Sequence, residues 1–137
     1  MTMGLTTKLN TTFEDAVERA TRALADQGFG VLTRIDVKST LKQKLDLDME
    51  DYLILGACNP VLAHKALNVD RQIGQLLPCN VVVRADPDSQ AGAVLIEAMD
   101  PQIMIKVTDQ PALRPIADEA AAKLQAAIEA LGNSQGS

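Results

Sequence analysis

Two amphipathic stripes, one near each end of the chain, bracket a series of extended apolar runs, and this arrangement restricts the fold more than any other feature. Phe13, Ala16, Val17, Ala20 and Leu24 recur at helical spacing and form one apolar face. Thr11 and Thr12 precede Glu14 and Asp15, which is capping-box chemistry, and Gly28 supplies a stop. Together they predict a helix over residues 12–27. Leu113, Ile116, Ala117, Ala120, Leu124, Ala127, Ile128 and Leu131 form the second stripe, ended by Gly132, with Pro111 and Pro115 suited to its first turn. Each helix has one face to bury, and the segments between them must supply the opposing surface.

Those segments read largely as strands. Gly4 to Leu9 is a first candidate. Phe29 to Asp36 is a second, with Val31, Thr33 and Ile35 opposed to Leu32 and Arg34. Ser39 is a candidate cap for a short helix carrying Leu41 and Leu45 towards the core. Tyr52 to Ala57 is nearly all apolar and reads as a buried strand. Asn59-Pro60 then places an N-cap residue before proline at the first helical position, opening a short helix through Leu67. A connection containing Ile73 and Leu76 ends at Pro78. Val81 to Ala85 and Ala93 to Met99 read as partner strands around the turn formers of residues 86–92. Asp100-Pro101 breaks the second, and residues 103–107 fit either a helical turn or a strand.

The expected fold class is therefore α+β: strand, helix, several strands and a final helix, with a curved, mainly antiparallel sheet carrying both long helices on one face. One domain over residues 1–131 with a loose tail at 132–137 fits the length of 137 residues. Aliphatic residues on the other sheet face would need cover, which a homodimer would provide.

Composition narrows the function classes. Aromatic residues make up 2% of the chain, namely Phe13, Phe29 and Tyr52, so the core is aliphatic and base-stacking platforms are scarce. The net charge is −5, and the densest basic stretch, Lys38, Lys42 and Lys44, adjoins Asp46, Asp48, Glu50 and Asp51. Nucleic-acid partners are not expected from that balance. No apolar run approaches the roughly 20 residues of a membrane helix, and the N-terminus lacks the basic start and apolar core of a signal peptide. No membrane partner and a cytoplasmic, reducing setting are the resulting expectations. In that setting two cysteines read as free thiols, metal ligands or a redox pair.

The residues with chemical potential cluster around those cysteines. Cys58 follows the apolar strand and precedes a helix, where N-terminal amides favour a thiolate. Cys79 lies at the entry of the next strand. Were those strands neighbours, the two thiols would meet at one sheet edge; separately, each is a small buried hydrophobe. His64, the single histidine, sits six residues after Cys58. Cys58, Cys79 and His64 form a candidate set for zinc or copper, with water, a partner subunit or a methionine completing it, and Met99 and Met104 are soft candidates. Asn59, Asn80 and Asp100 are polar corner residues, read either as ligand-binding groups or as caps for loop backbone. No nucleophile elbow, phosphate loop or dinucleotide glycine fingerprint is present.

Gly56-Ala57-Cys58-Asn59-Pro60, then residues 63–67, Ile73-Gly74 and Leu77-Pro78-Cys79-Asn80-Val81 form an ordered motif series. With Thr12-Phe13, Gly28-Phe29-Gly30-Val31 and the Asp100-Pro101 corner, it resembles the domain of unknown function 302 family over roughly residues 8–131. The resemblance implies a TATA-binding-protein-like α+β fold and dimers. It brings no catalytic roles to Cys58, Asn59, Pro60, Pro78, Cys79 or Asn80, and fold alone does not imply DNA binding.

Two functional classes follow. One is a dimeric binding module holding a small molecule or a soft metal such as zinc or copper near Cys58 and Cys79. The alternative is a thiol-based redox or sulfur-handling enzyme in which one of these cysteines attacks and the other resolves. A third reading leaves the corners purely structural, with function in a groove elsewhere.

Overall fold

The computed structural model describes residues 4–133 and has five strands and five α-helices. In chain order these are β1 (Gly4–Leu9), α1 (Phe13–Asp26), β2 (Gly30–Asp36), α2 (Val37–Leu45), β3 (Tyr52–Cys58), α3 (Pro60–Val69), β4 (Cys79–Ala85), β5 (Val94–Met99), α4 (Ile103–Thr108) and α5 (Arg114–Asn133). Short 3-10 turns at Arg71–Leu76 and Pro111–Leu113 complete the chain's connections. The sheet order is β1-β5-β4-β3-β2, and every neighbouring pair is antiparallel.

Alternation along the strands creates the core face. Leu9, Leu55, Ala57, Val81, Val83, Val94, Ile96 and Ala98 are buried on one side of the sheet. Against them pack Ala16, Val17, Ala20 and Leu24 of α1, and Ala120, Leu124, Ala127, Ile128 and Leu131 of α5. Both stripes thus cover the same sheet face. A second, smaller apolar cluster joins Ala66, Ile73, Met104, Leu113 and Ala117, drawing α3, α4 and the start of α5 together.

Local chemistry accounts for the element ends. The Thr12 side chain accepts from the Asp15 N–H at 3.1 Å and caps α1. Gly28, at φ +85°, takes the left-handed conformation that turns the chain into β2. Gly132 does not end α5, which runs on to Asn133; the rest of the expected tail lies outside the described residues.

Three local expectations are corrected. A register shift between Val31 and Thr33 breaks the alternation of β2, so Val31 packs on the core while Thr33 and Ile35 pair with Gly56 and Ile54 on the opposite face. The cap of α2 is Asp36, whose Oδ1 accepts from the Ser39 N–H at 2.9 Å; Ser39 itself sits inside the helix. Nor does α2 carry Leu45 inward: no residue of this helix is buried and Leu45 is 61% exposed. Residues 103–107, ambiguous in sequence, form α4, because the Asp100 corner turns the chain through a Met104 N–H to Pro101 C=O bond of 3.0 Å.

A candidate thiol crevice at the end of the sheet

The end of β3 and the start of β4 build the site. β3 closes at Cys58, and the next residue, Asn59, caps α3 by accepting from the Leu62 N–H at 3.3 Å, with Pro60 at the first helical position. β4 opens at Cys79, directly after a cis Leu77–Pro78 peptide. In the ladder Cys79 faces Ala57, which places Cys58 one residue further along the neighbouring strand.

Both cysteines are free thiols and both line one crevice. Phe29, Leu62 and Ala120 form part of its wall from the main core, and Ala66 and Met104 come from the smaller cluster. The crevice therefore runs along the boundary between the two apolar clusters. Its free volume is about 30 Å³, against roughly 10–15 Å³ needed to hold one water. Cys79 is buried, and Cys58 is half-buried. Burial in these apolar surroundings, reinforced by the neighbouring Cys58, pushes the Cys79 thiol up to about 11.

The expected site residues divide between this crevice and other places. Cys58, Cys79 and Asn59 come together, and Met104 joins them with its side chain 3% exposed. His64 does not. It lies on the exposed side of α3, 3.4 Å from the Asn68 amide, while Leu62 and Ala66 of the same helix face inward. The Cys58, Cys79 and His64 metal set is thus not assembled, and no cluster of three or more His, Cys, Asp or Glu side chains suited to a metal exists among the described residues. Asn80 is exposed and alternates with Cys79 onto the open sheet face, as Met99 does relative to buried Ala98. Asp100 accepts from the Gln102 N–H at 3.0 Å, so its role is to form the corner into α4.

Sequence reasoning missed the walls of the crevice. Ile116 and Ala120 belong to the same stripe as the core residues of α5, and nothing in their spacing separates the pair that lines a crevice from those that fill the core. Met104 was visible only as one of two methionines near a corner.

A second, open groove lies between α1 and α5 beside Arg19 and Arg22. Both guanidinium groups face carboxylates of their own helix, Arg19 to Asp15 at 2.7 Å and Arg22 to Glu18 at 3.8 Å. No helix among the described residues is long and apolar enough to cross a membrane.

Comparison with known proteins gives the chain relatives. The family model described as "Domain of unknown function DUF302" matches residues 5–131. The crystal structure of an uncharacterized conserved DUF302 protein from Bacillus stearothermophilus is similar, with a TM-score of 0.84 and 30% sequence identity. The match covers 94% of this chain and 98% of that one. A search of the curated proteins finds no match.

Proposed function

Because the chain belongs to the domain of unknown function DUF302 family, whose name assigns no activity, we propose from its own geometry that it is a binding module for a soft monovalent cation of the copper(I) class. The observation that carries this reading is that Cys58, Cys79 and Met104, two thiol residues and one thioether residue, all line one crevice of about 30 Å³. Thiolate and thioether sulfur select soft ions, and copper(I) accepts two or three such ligands. Structural zinc takes four ligands, and neither His64 nor a carboxylate stands with the thiols. The small volume also favours an ion over an organic ligand, since small-molecule pockets occupy roughly 300–1,000 Å³.

Binding would displace the Cys79 proton, which burial holds tightly, so affinity rises with pH. Anaerobic titration of the reduced protein with copper(I) against a chromophoric competitor tests the reading. One equivalent bound, lost in Cys58→Ser and in Cys79→Ser, is the expected result. No competition by the wild-type protein would remove the proposal.

A homodimer is the second part of the proposal, and exposed apolar side chains support it. Leu32, Ile35, Leu45 and Leu47 are each at least half exposed and fall within one stretch of β2, α2 and the following loop. β2 is also an edge strand of the sheet, the position at which strands pair with another chain. A second copy joined on this side would cover both. Sedimentation of the wild type and of Ile35→Lys/Leu45→Lys is the check: a dimer that the double substitution converts to monomer agrees, and a monomeric wild type does not.

A further inference from the structure

The two cysteines are also neighbours in the hydrogen-bonded framework, and that relation carries a reaction needing no metal. Cys79 pairs with Ala57, so Cys58 is offset from it by one residue on the adjacent strand. Strands about 4.8 Å apart with a rise of about 3.3 Å per residue put the two Cα atoms about 6 Å apart, inside the roughly 4.4–6.8 Å that disulfides span. Strand alternation alone would send the side chains to opposite faces. Cys58 is the last residue of β3, however, at the point where the strand passes into the cap of α3, and it borders the same crevice as Cys79.

The pair is asymmetric. Cys58 is half-buried and open to a small reagent, whereas Cys79 is 6% exposed. A thiol that meets the oxidant first and a sheltered thiol beside it is the arrangement an attacking and a resolving cysteine require. Both residues border the crevice that separates the two apolar clusters, next to the β3–β4 ladder.

We propose that Cys58 and Cys79 undergo reversible two-electron oxidation by a hydroperoxide, and that the resulting disulfide shuts the crevice to a soft cation. The second clause rests on the copper(I) reading; the first does not. The Cys58 sulfur attacks the terminal peroxide oxygen and the O–O bond breaks. Cys58 sulfenic acid and an alcohol form, and the thiol proton ends on the alcohol (water, when the oxidant is hydrogen peroxide). The Cys79 sulfur then attacks the sulfenic sulfur, the S–O bond breaks, and water leaves with the Cys79 proton. Two thiols and one hydroperoxide thus give one disulfide, one alcohol and one water. A small thiol restores the pair by exchange through a mixed disulfide.

The experiment treats reduced, metal-free protein with one equivalent of hydrogen peroxide and follows intact mass and free thiols. The wild type is expected to lose two hydrogens and gain no oxygen. Cys79→Ser is expected to stop at oxygen adducts on Cys58, and Cys58→Ser to react at least about tenfold more slowly, as susceptibility follows thiolate character and exposure. Oxygen addition without a disulfide in the wild type, or an unchanged rate in Cys58→Ser, overturns the proposal. The copper(I) titration separates the two readings. Copper(I) binding without disulfide formation sinks the oxidation alone, and disulfide formation without copper(I) affinity supports the oxidation while removing the metal.

Discussion

Gly28 lies directly under the carboxamide of Asn59: a Cβ built on this glycine would stand 3.0 Å from Asn59 Nδ2. The contact ties the end of α1 to the cap of α3, next to the thiol crevice. Gly28 also holds φ +85°, which side-chain-bearing residues adopt at a cost of about 1–2 kcal/mol. Gly28→Ala is therefore expected to destabilise through backbone strain and through displacement of the Asn59 amide. Asn59→Ala removes the cap and costs about 1 kcal/mol. In the double variant the Gly28 substitution should cost less than it does alone, because the displaced amide is gone while the strain remains. Urea unfolding of the four proteins measures the difference; strict additivity would mean that the contact contributes nothing.

Cys79 makes stability depend on alkaline pH. Its thiol is raised from 9.0 to about 11 in the folded chain, so between those values the native state holds a proton that the unfolded state has released. The resulting stabilisation is complete below about pH 9 and is lost as pH climbs through 11, amounting to on the order of 2–3 kcal/mol. Cys79→Ala removes this contribution. The stability gap between wild type and Cys79→Ala should narrow from pH 8 to pH 11. A gap that stays constant would show that the thiol is not desolvated.

How much of this was legible in the sequence varies by element. The stripes of α1 and α5 were readable because burial repeats over many residues, and Asn59-Pro60 was readable because capping is a local hydrogen bond with a short signature. The bulge in β2 was not, since the shift at Val31/Thr33 depends on what β3 presents: Gly56 leaves space for Thr33 on the open face. Ser39 reads as a cap in the sequence because Asp36, the actual cap, lies at the end of an apolar strand, where its carboxylate reads as part of the strand. At the site, the placement of Cys58 and Cys79 on adjacent strands was readable because the two strands are consecutive in the sheet. The exclusion of His64 depended on helical phase: with Leu62 and Ala66 buried, the side chain two residues on from Leu62 must point away.

Gly56 permits a close approach at the same end of the sheet. A Cβ there would meet Pro78 Cγ at 2.9 Å and collide with Thr33 Oγ1. The threonine hydroxyl can rotate aside, but the proline ring has no such freedom. Gly56→Ala should thus cost about 1–3 kcal/mol, in the range of overpacked cores. Adding Thr33→Ala should recover only part of that loss. Full recovery would identify the hydroxyl, and not Pro78, as the obstacle.

On the open face of the sheet, Arg84 and Glu97 form a two-pronged pair, Nε to Oε1 at 2.6 Å and Nη2 to Oε2 at 3.3 Å. Arg84 pairs in register with Tyr52 and Leu95, and Glu97 with Val82 and Thr6, so each charged residue is flanked by a strand on both sides. Their side chains are 25% and 34% exposed. At that exposure solvent screening limits the coupling to about 1 kcal/mol or less, and salt should weaken it further. A double-mutant cycle with Arg84→Met and Glu97→Gln, run in low and high salt, measures the coupling in the folded protein. The outcome also reports on the proposed homodimer. A second copy seated on the β2–α2 side leaves Arg84 and Glu97 wet, giving a small and salt-sensitive coupling. A copy laid over the sheet face would desolvate both groups, raising the coupling well above 1 kcal/mol and making it insensitive to salt. The exposed Leu32, Ile35, Leu45 and Leu47 favour the first geometry, so the small, salt-sensitive value is the expected one.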